Sequence, residues 1–586
     1  MASIYDKASL VLIPSGTKTS KVYSQKPTNG DGDFTFSRST AATRVNASGN
    51  IEKETQNLLL QSNQFDTTWI QANVSVTGGQ SGYDGSSDAW LITKDNTQYR
   101  YIYQTSPVSG ICTLSLYAKA GTLSQVTLRD GVTQGRVEFN LSDGSVDFVR
   151  TENIIAYDIS SVGGGWYRCQ VSFNGVAATI QFYPDFGGTT AGSIYIQDAQ
   201  LEQGLVARDY IETTTTAIYG GITDNVPRLD YTDSSCPALL LEPQRQNLNS
   251  HSEYFNNGNG WSITRISVEH NNATSPEGLQ NASKLIATTD NLTHFLYDGF
   301  SGTSGNDYTL SLFVKADEYD HIEILPSTSG GVFNGSASLF DATNGTWDIT
   351  GTDTTTTSTD MGDGWYRITL TQEAQATAFS LFIIRLHNGT SNTFAGNGTD
   401  GILIYGAQVE AGSYATSYIP TYGSAVTRNV DTTYIQNGMT SLNSVDSMTI
   451  YFEVDAELFD GSQRYSVLTD LTASSNWIFL SYESNTSIRG YIRGNANTSW
   501  DFSWSSGVPS SGTIKAALVI PADGNAKIYG NGQLRTSYSG AVLVNGFDTI
   551  ALGGTNGAAG RKQALKQFMV FPTALTDQEA IDLTTI

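Results

Sequence analysis

Cysteine, histidine, proline and charge are all scarce in this chain. Its 586 residues hold three cysteines, Cys112, Cys169 and Cys236. Three thiols cannot all pair, and none stands in a C-x-x-C, which argues against a disulfide framework or a structural zinc site. Free, partly buried thiols are expected. Five histidines (His251, His270, His294, His321 and His387) show no HExxH or HxH spacing and are expected in surface loops. Only 15% of residues are charged, against about 25% in an average domain. Of these, 56 are acidic and 32 basic, giving a net charge of −24. Such a chain repels nucleic acid and anionic membranes, so neither is an expected partner. No apolar stretch approaches the roughly 18 residues of a membrane span, so no membrane insertion is expected. The opening MASIYDKASLVLIPSG lacks the apolar core and cleavage site of a signal peptide. Synthesis in a cytoplasm without standard export is the expectation. There is no Walker A sequence and no GxSxG elbow. The GxGxxG match at Gly396–Gly401 lies in a Ser/Thr-rich loop instead of between a strand and a helix, and is set aside.

Internal repetition is what the sequence has in its place. QNLLLQSNQFDTTW (Gln56–Trp69) matches QNLNSHSEYFNNGNGW (Gln246–Trp261), and TLSLYAKAG (Thr113–Gly121) matches TLSLFVKAD (Thr309–Asp317). GGGWYRCQV (Gly163–Val171) matches MGDGWYRITL (Met361–Leu370), and IYIQDAQLEQG (Ile194–Gly204) matches ILIYGAQVEAG (Ile402–Gly412). RDYIET (Arg208–Thr213) then matches TSYIPT (Thr416–Thr421). Five blocks in one order mark a duplicated domain, since the period far exceeds that of a solenoid repeat.

Within each copy the apolar residues alternate, with Gly, Asn and Asp between the runs, which predicts antiparallel strands. With 58 glycines, 13 prolines and no helical period between about residues 60 and 570, the fold class expected is all-β. The architecture is tandem antiparallel β-sandwiches or jelly rolls with a short N-terminal arm. The division reads as an arm over 1–55, one jelly roll over 56–216, a connector over 217–245, a second jelly roll over 246–438 and a further sandwich over 439–586. Asn531–Gly532 predicts a two-residue hairpin turn. Thr576 with Glu579 three residues on predicts a capped C-terminal helix. Residues 1–55 are too short for a core of their own. They carry apolar patches at Leu10–Ile13 and Phe34–Phe36 that need a partner to cover them.

Candidate chemistry is sparse. Glu453, Asp455 and Glu457 form an E-x-D-x-E on one face of a strand in the last unit. Retaining glycoside hydrolysis needs two carboxyls about 5–5.5 Å apart, which Glu453 and Glu457 could supply. The bland reading is a strand with an acidic wet face, and the position on the unit's first strand favours it; no catalytic residue is expected. Aromatic side chains that could stack on sugars, with cations that could bind hydroxyls, cluster at Tyr482, Arg489, Tyr491, Arg493, Trp500 and Trp504. Trp166 and Trp365 recur at the same repeat position and read as core. Cys169 aligns with Ile368, so its thiol stands in for an apolar side chain.

The segments YDKASLVLIPSGTKTSKVYSQKP, FTFSRSTAATRVNASGNIEK and PRLDYTDSSCPALLLEPQRQNL resemble the openings and junctions of tailed-bacteriophage virion proteins, including those of crAss-like phages. The repeated domains resemble carbohydrate-binding-module-like jelly rolls. The last unit resembles laminin-G/concanavalin-like lectin domains, ending in an F-x-V-F-x-x-A-L-T-x-x-E tail from Phe568 to Glu579. The resemblance implies a structural protein of the virion surface: a tail fibre or spike, or a head fibre on the capsid. It implies lectin-like contact with host-surface or mucosal glycans and a homo-oligomer, a trimer by analogy with other fibres. Attachment to other virion proteins would run through residues 1–55, with 439–586 pointing outward. The E-x-D-x-E strand resembles that of concanavalin-like endoglucanases, which leaves a fibre-borne polysaccharide depolymerase as the alternative. No cofactor is expected. Jelly-roll carbohydrate modules often hold a structural calcium through an acid in the last strand, where Asp198 sits; Gly406 at the matching place puts that site in doubt.

Overall fold

A computed structural model describes residues 4–585 apart from 107, 177–178, 328–331, 437–441, 443, 457–462, 470–475, 485–486, 495–498, 510, 545, 548, 555–556 and 561. The chain is all-β: antiparallel strands make paired sheets, and the described residues include two short helices, Ile4–Lys7 and Asp577–Thr584.

The duplication holds strand by strand. In the first jelly roll one six-stranded sheet runs Ile154–Gly163, Trp166–Val176, Ser109–Ala120, Gly192–Gln203, Ala89–Lys94, Val74–Gln80. In the second, the matching sheet runs Thr355–Asp360, Trp365–Glu373, Asp307–Lys315, Gly401–Ala411, Ala282–Ala287, Ile266–Ala273. The facing sheets correspond in the same way. The matched residues carry the frame. Asn57 donates to the Ala199 and Ile211 carbonyls, and Asn247 does the same to Ala407 and Ile419. Gln200 bonds Glu202 and Gln408 bonds Glu410, each at 2.7 Å. Buried polar groups must be paired, so these repeated Asn, Gln and Glu residues are scaffold. Cys169 lies opposite Leu116 in one core and Ile368 opposite Leu312 in the other, as their alignment implied. Cys112 and Cys169 are buried free thiols, and Cys236 is exposed.

Residues 1–55 are no arm. Leu10–Leu12 pairs antiparallel with Gln563–Phe571, and Phe34–Ser37 pairs with Thr432–Gln436. The segment thus adds strands to both sheets of the C-terminal sandwich. Leu10, Leu12, Val22, Phe34 and Phe36 are fully buried in that sandwich's core, beside Ile450, Phe452 and Phe568. The apolar patches that needed a cover find it within the same chain. The connector is used likewise: Arg228–Asp230 and Ala238–Leu241 extend the sheet of Gln563–Phe571, while Ile218–Gly221 pairs with Glu54–Asn57. The C-terminal unit is therefore assembled from three stretches far apart in sequence, and Thr432–Gln436 belongs to it as well. Lys7 pairs with Glu579, so the N-terminal helix lies beside the C-terminal one.

Local signals held. Asn531 and Gly532 have φ of +46° and +72°, the two left-handed positions of a tight hairpin. Thr576 caps the helix Asp577–Thr584 in a full capping box with Glu579. The histidines are not all in exposed loops: His251, His294 and His387 are buried. His294 lies between the Arg265 and Phe394 carbonyls at 2.7 and 2.9 Å.

Two buried ion clusters tie the modules. Arg38, Arg228 and Arg428 surround Glu242 and Asp431, all essentially inaccessible. They come from the N-terminal segment, the connector and the strand leaving the second jelly roll. Burial and the neighbouring Arg228 lower the Arg38 pKa to about 10, although Asp431 opposes this. Burial disfavours the Glu242 carboxylate, but Arg428 and Arg228 outweigh it and hold its pKa well below the usual range. Between the two jelly rolls, Lys53 Nζ lies 2.7 Å from both Glu253 and Glu277, and Arg208 bridges Glu277 to Glu202.

Candidate functional site

Strand parity decides the fate of the aromatic candidates in the C-terminal sandwich. In Ser487–Arg493 the buried positions are Ile488, Gly490 and Ile492, so Arg489, Tyr491 and Arg493 face out. Ile488 pairs with Trp504 and Ile492 with Trp500, which turns both tryptophans inward. Trp504 is buried, its indole donating to the Ser506 carbonyl at 2.6 Å, and Trp500 packs on the same core. Tyr482 is also a core residue, its hydroxyl donating to the Pro509 carbonyl. These three are corrected from sugar contacts to packing. Arg489, Tyr491 and Arg493 do meet on one outer face. Tyr491 stacks on Phe479 with centroids 4.9 Å apart, and Arg489 lies over both rings while bonding Asp501 at 2.8 Å.

The acidic strand is tethered. Glu453 pairs with Lys515 at 3.7 Å and Asp455 with Lys566 at 2.6 Å; Glu457 lies outside the described residues. Asp198 accepts from the Tyr83 hydroxyl at 3.0 Å. Burial, with Asp88 and Asp84 nearby, pushes its pKa up to about 7 although the Tyr83 hydrogen bond opposes this. Among the described residues the one cluster with metal-ligand spacing is His321, Asp341 and Asp348, and Asp198 is not part of it.

A better-formed site lies on the first jelly roll. The second sheet of the first jelly roll runs Ser145–Arg150, Arg136–Asn140, Gln125–Asp130, Thr179–Pro184, Tyr101–Thr105, Ile70–Ala72. Val137, Phe139, Leu128, Phe182 and Ile102 point into the core. The alternate residues build an aromatic and cationic outer face. Tyr101 packs on Tyr183 at 4.5 Å between centroids, Tyr183 on Phe186 at 4.9 Å, and Phe186 on Tyr99 at 5.2 Å. The Arg136 guanidinium sits 4.1 Å from the Phe186 centroid and 4.7 Å from that of Phe148, and bonds Glu138 at 2.8 Å. Arg129 donates to Gln181 at 2.5 Å and to the Tyr183 hydroxyl at 3.0 Å. Every cation is thus held by a carboxylate, an amide or a ring, and little reordering is left for a ligand to impose. Tyr99 and Phe148 remain about half exposed, at 53% and 46%. The second jelly roll carries Phe295 and Tyr297 on the corresponding face, with an Arg385–Glu323 pair at 2.8 Å. The sequence signal was there: Tyr99, Tyr101 and Tyr103 alternate with Arg100, Ile102 and Gln104, and only Ile102 among the latter is apolar.

No family model matches the chain, and no curated protein matches it. Solved structures do. One is the CBM40 of Ruminococcus gnavus IT-sialidase bound to α2,3-sialyllactose (19% identity, 25% of this chain and 87% of that chain covered, TM-score 0.23). Another is the CBM22-1–CBM22-2 tandem of Paenibacillus barcinonensis Xyn10C (13%, 61% and 97%, TM-score 0.21). A third is a mutant Trypanosoma rangeli sialidase displaying trans-sialidase activity (11%, 94% and 99%, TM-score 0.19). Likeness at this level assigns no function, and the jelly-roll architecture stands on the sheet order above.

Proposed function

We propose that this chain is a non-catalytic glycan-binding protein of a phage virion surface, and that the outer sheet face of its first jelly roll is the principal contact. The observation that carries the glycan reading is the open platform of Tyr99, Tyr101, Phe186 and Phe148 with Arg129 and Arg136 among the rings. Aromatic faces offer apolar area at low entropic cost, and fixed polar groups beside them orient a hydroxylated ligand. The Arg489–Tyr491–Arg493 face of the C-terminal sandwich is a second surface of the same kind. The virion placement rests on the resemblance of the N-terminal and connector segments alone. Assembly as a homotrimer and contact with other virion proteins rest on it too.

A glycan array probed with the full chain and with Tyr99→Ala tests the binding. Tyr99 is exposed, so the substitution leaves the fold intact, and loss of one stacking partner should weaken binding about tenfold, or ~1.4 kcal/mol. Equal array signals from both proteins would overturn the site. Labelling on intact particles tests the virion placement, and light scattering tests the trimer. New reducing ends from a bacterial polysaccharide, lost in Glu453→Gln, would replace the binding reading with the depolymerase.

A further inference from the structure

In the second jelly roll, the sheet that corresponds to the platform carries different chemistry at its edge. Three neighbouring strands, His321–Pro326, Ser338–Asp341 and Thr346–Ile349, place Ile322, Phe340 and Trp347 against the core. The alternation that does so turns His321, Asp341 and Asp348 onto the outer face. His321 and Asp341 lie directly opposite each other. One potential ligand atom from each of the three residues lies within 4.8 Å of the other two. His321 Nδ1 donates to Asp320 Oδ1 at 2.6 Å, which leaves the Nε2 lone pair facing Asp348 Oδ2 at 3.2 Å. Both of those groups are acceptors, so a proton or a metal ion must stand between them. Two ligand atoms held about 2.0–2.1 Å from a tetrahedral ion are about 3.3 Å apart, and the separation here fits a shared zinc ion. Asp341 Oδ2 is steadied by the Asn344 amide at 2.5 Å and keeps a further acceptor site.

The first jelly roll shows what the same fold does without that charge. Its matching residues are Gln125, Asn140 and Asp147, with Gln125 opposite Asn140. There the Asn140 amide donates to Asp147 at 3.2 Å, and a hydrogen bond satisfies the pair. Asn140 Oδ1 and Asp341 Oδ1 accept alike from the turn that follows, at the Ser142 and Thr343 amides. The turn therefore does not require a carboxylate, and its presence in the second copy sets another anion beside Asp348. We propose that His321, Asp341 and Asp348 bind Zn²⁺, with Asp320 as a positioning residue that fixes the imidazole tautomer. A nitrogen ligand favours a transition dication over Ca²⁺ or Mg²⁺, which take oxygen donors. His387, opposite His321 on the next strand, is not a ligand, because its Nδ1 accepts from the Gly389 amide at 3.1 Å. The Asp348 side chain is 44% exposed, so the fourth position of the ion opens to water. The bound ion would pin three strands at the edge of the sheet. This site stands or falls separately from the glycan platform.

Isothermal titration of the untagged full chain with ZnCl₂, and with CaCl₂ as the comparison, tests it. Zn²⁺ should bind at micromolar concentration, resist displacement by excess Ca²⁺, and raise the melting temperature, since it binds the folded chain. His321→Gln and Asp341→Asn introduce the residues that the first jelly roll carries at the same places, so both variants should fold. Each should weaken Zn²⁺ binding at least about tenfold, and the double variant should remove the site. Asp320→Asn should weaken it about tenfold. The proposal is overturned if Zn²⁺ does not bind below millimolar concentration, in which case a proton alone stands between His321 and Asp348. It is equally overturned if the double variant keeps the parent's stoichiometry and affinity, which would place the ion elsewhere. Displacement by Ca²⁺ that persists in His321→Gln would make this a carboxylate site for a hard cation and overturn it too. An Asp320→Asn variant that binds Zn²⁺ like the parent overturns the positioning role.

Discussion

Asp198 has a backbone φ of +54°, and Gly406, its counterpart in the second copy, has +60°. Each sits where the long strand shifts register against its neighbour, between Ser115 and Tyr117 in one copy and between Ser311 and Phe313 in the other. This bulge places its residue in the left-handed region, which glycine supplies freely and aspartate tolerates. The alignment of an acid with a glycine, puzzling for a metal ligand, is explained by backbone geometry. Asp198→Asn should therefore be tolerated, whereas Asp198→Val should cost about 1–2 kcal/mol in urea unfolding. Glu54, in the crevice between the jelly rolls, gives a pH-dependent effect. Burial, reinforced by Asp224, pushes its pKa up to about 7 from an ordinary 4.5. A carboxyl raised in the folded state binds its proton more tightly there than when unfolded. Its contribution to stability is thus fully present below pH 4.5 and is lost as pH rises through 7. Glu54→Gln should raise Tm near neutral and alkaline pH and change it little in acid. A uniform shift at every pH would show that Glu54 is ionised throughout.

At the scale of strands, the repeats were legible because both their cores and their buried hydrogen bonds leave alternating, matched residues in the sequence. The aromatic candidates Tyr482, Trp500 and Trp504 cluster in sequence, but strand parity turns them onto the core. Counting alternate positions from Ile488 and Ile492 already separates inward from outward residues. The role of Leu10–Leu12 and Phe34–Ser37 was not legible, since pairing across more than 390 positions leaves no local period: Phe36 lies opposite Thr433. The consequence is measurable. Phe34 is fully buried and meets Phe568 edge-on at 6.3 Å between centroids, so Phe34→Ala should destabilise the C-terminal sandwich by about 3–5 kcal/mol. Deleting residues 1–37 should remove that sandwich's cooperative transition in calorimetry. A truncated chain that melts like the parent would restore the free arm.

For the molecule as a whole, the question is whether the three sandwiches move as beads on a string or as one body. Interfaces between domains of a chain are usually modest and polar, which makes relative motion the default. Here the charged groups at the junction are shielded from solvent. Arg38, Arg228 and Arg428 converge on Glu242 and Asp431 out of contact with solvent, and the Glu242 amide donates to Asp431 at 2.8 Å. Such clusters add little net stability over an apolar equivalent, but removing one member strands the others in a low-dielectric site at a cost of about 3–5 kcal/mol. Arg38 also donates to the Thr40, Thr223 and Val226 carbonyls and Arg428 to the Pro243 carbonyl, which ties the cluster to the backbone of the N-terminal segment and connector. Asp431→Ala leaves three guanidinium groups facing one carboxylate. That variant should loosen the C-terminal sandwich from the jelly rolls before any module unfolds: a larger radius of gyration by small-angle scattering, with new proteolytic cleavage near Val426–Asp431. If Asp431→Ala scatters like the parent and shows no new cleavage, the ion cluster does not hold the modules together, and the strands lent by the N-terminal segment and connector must do so alone.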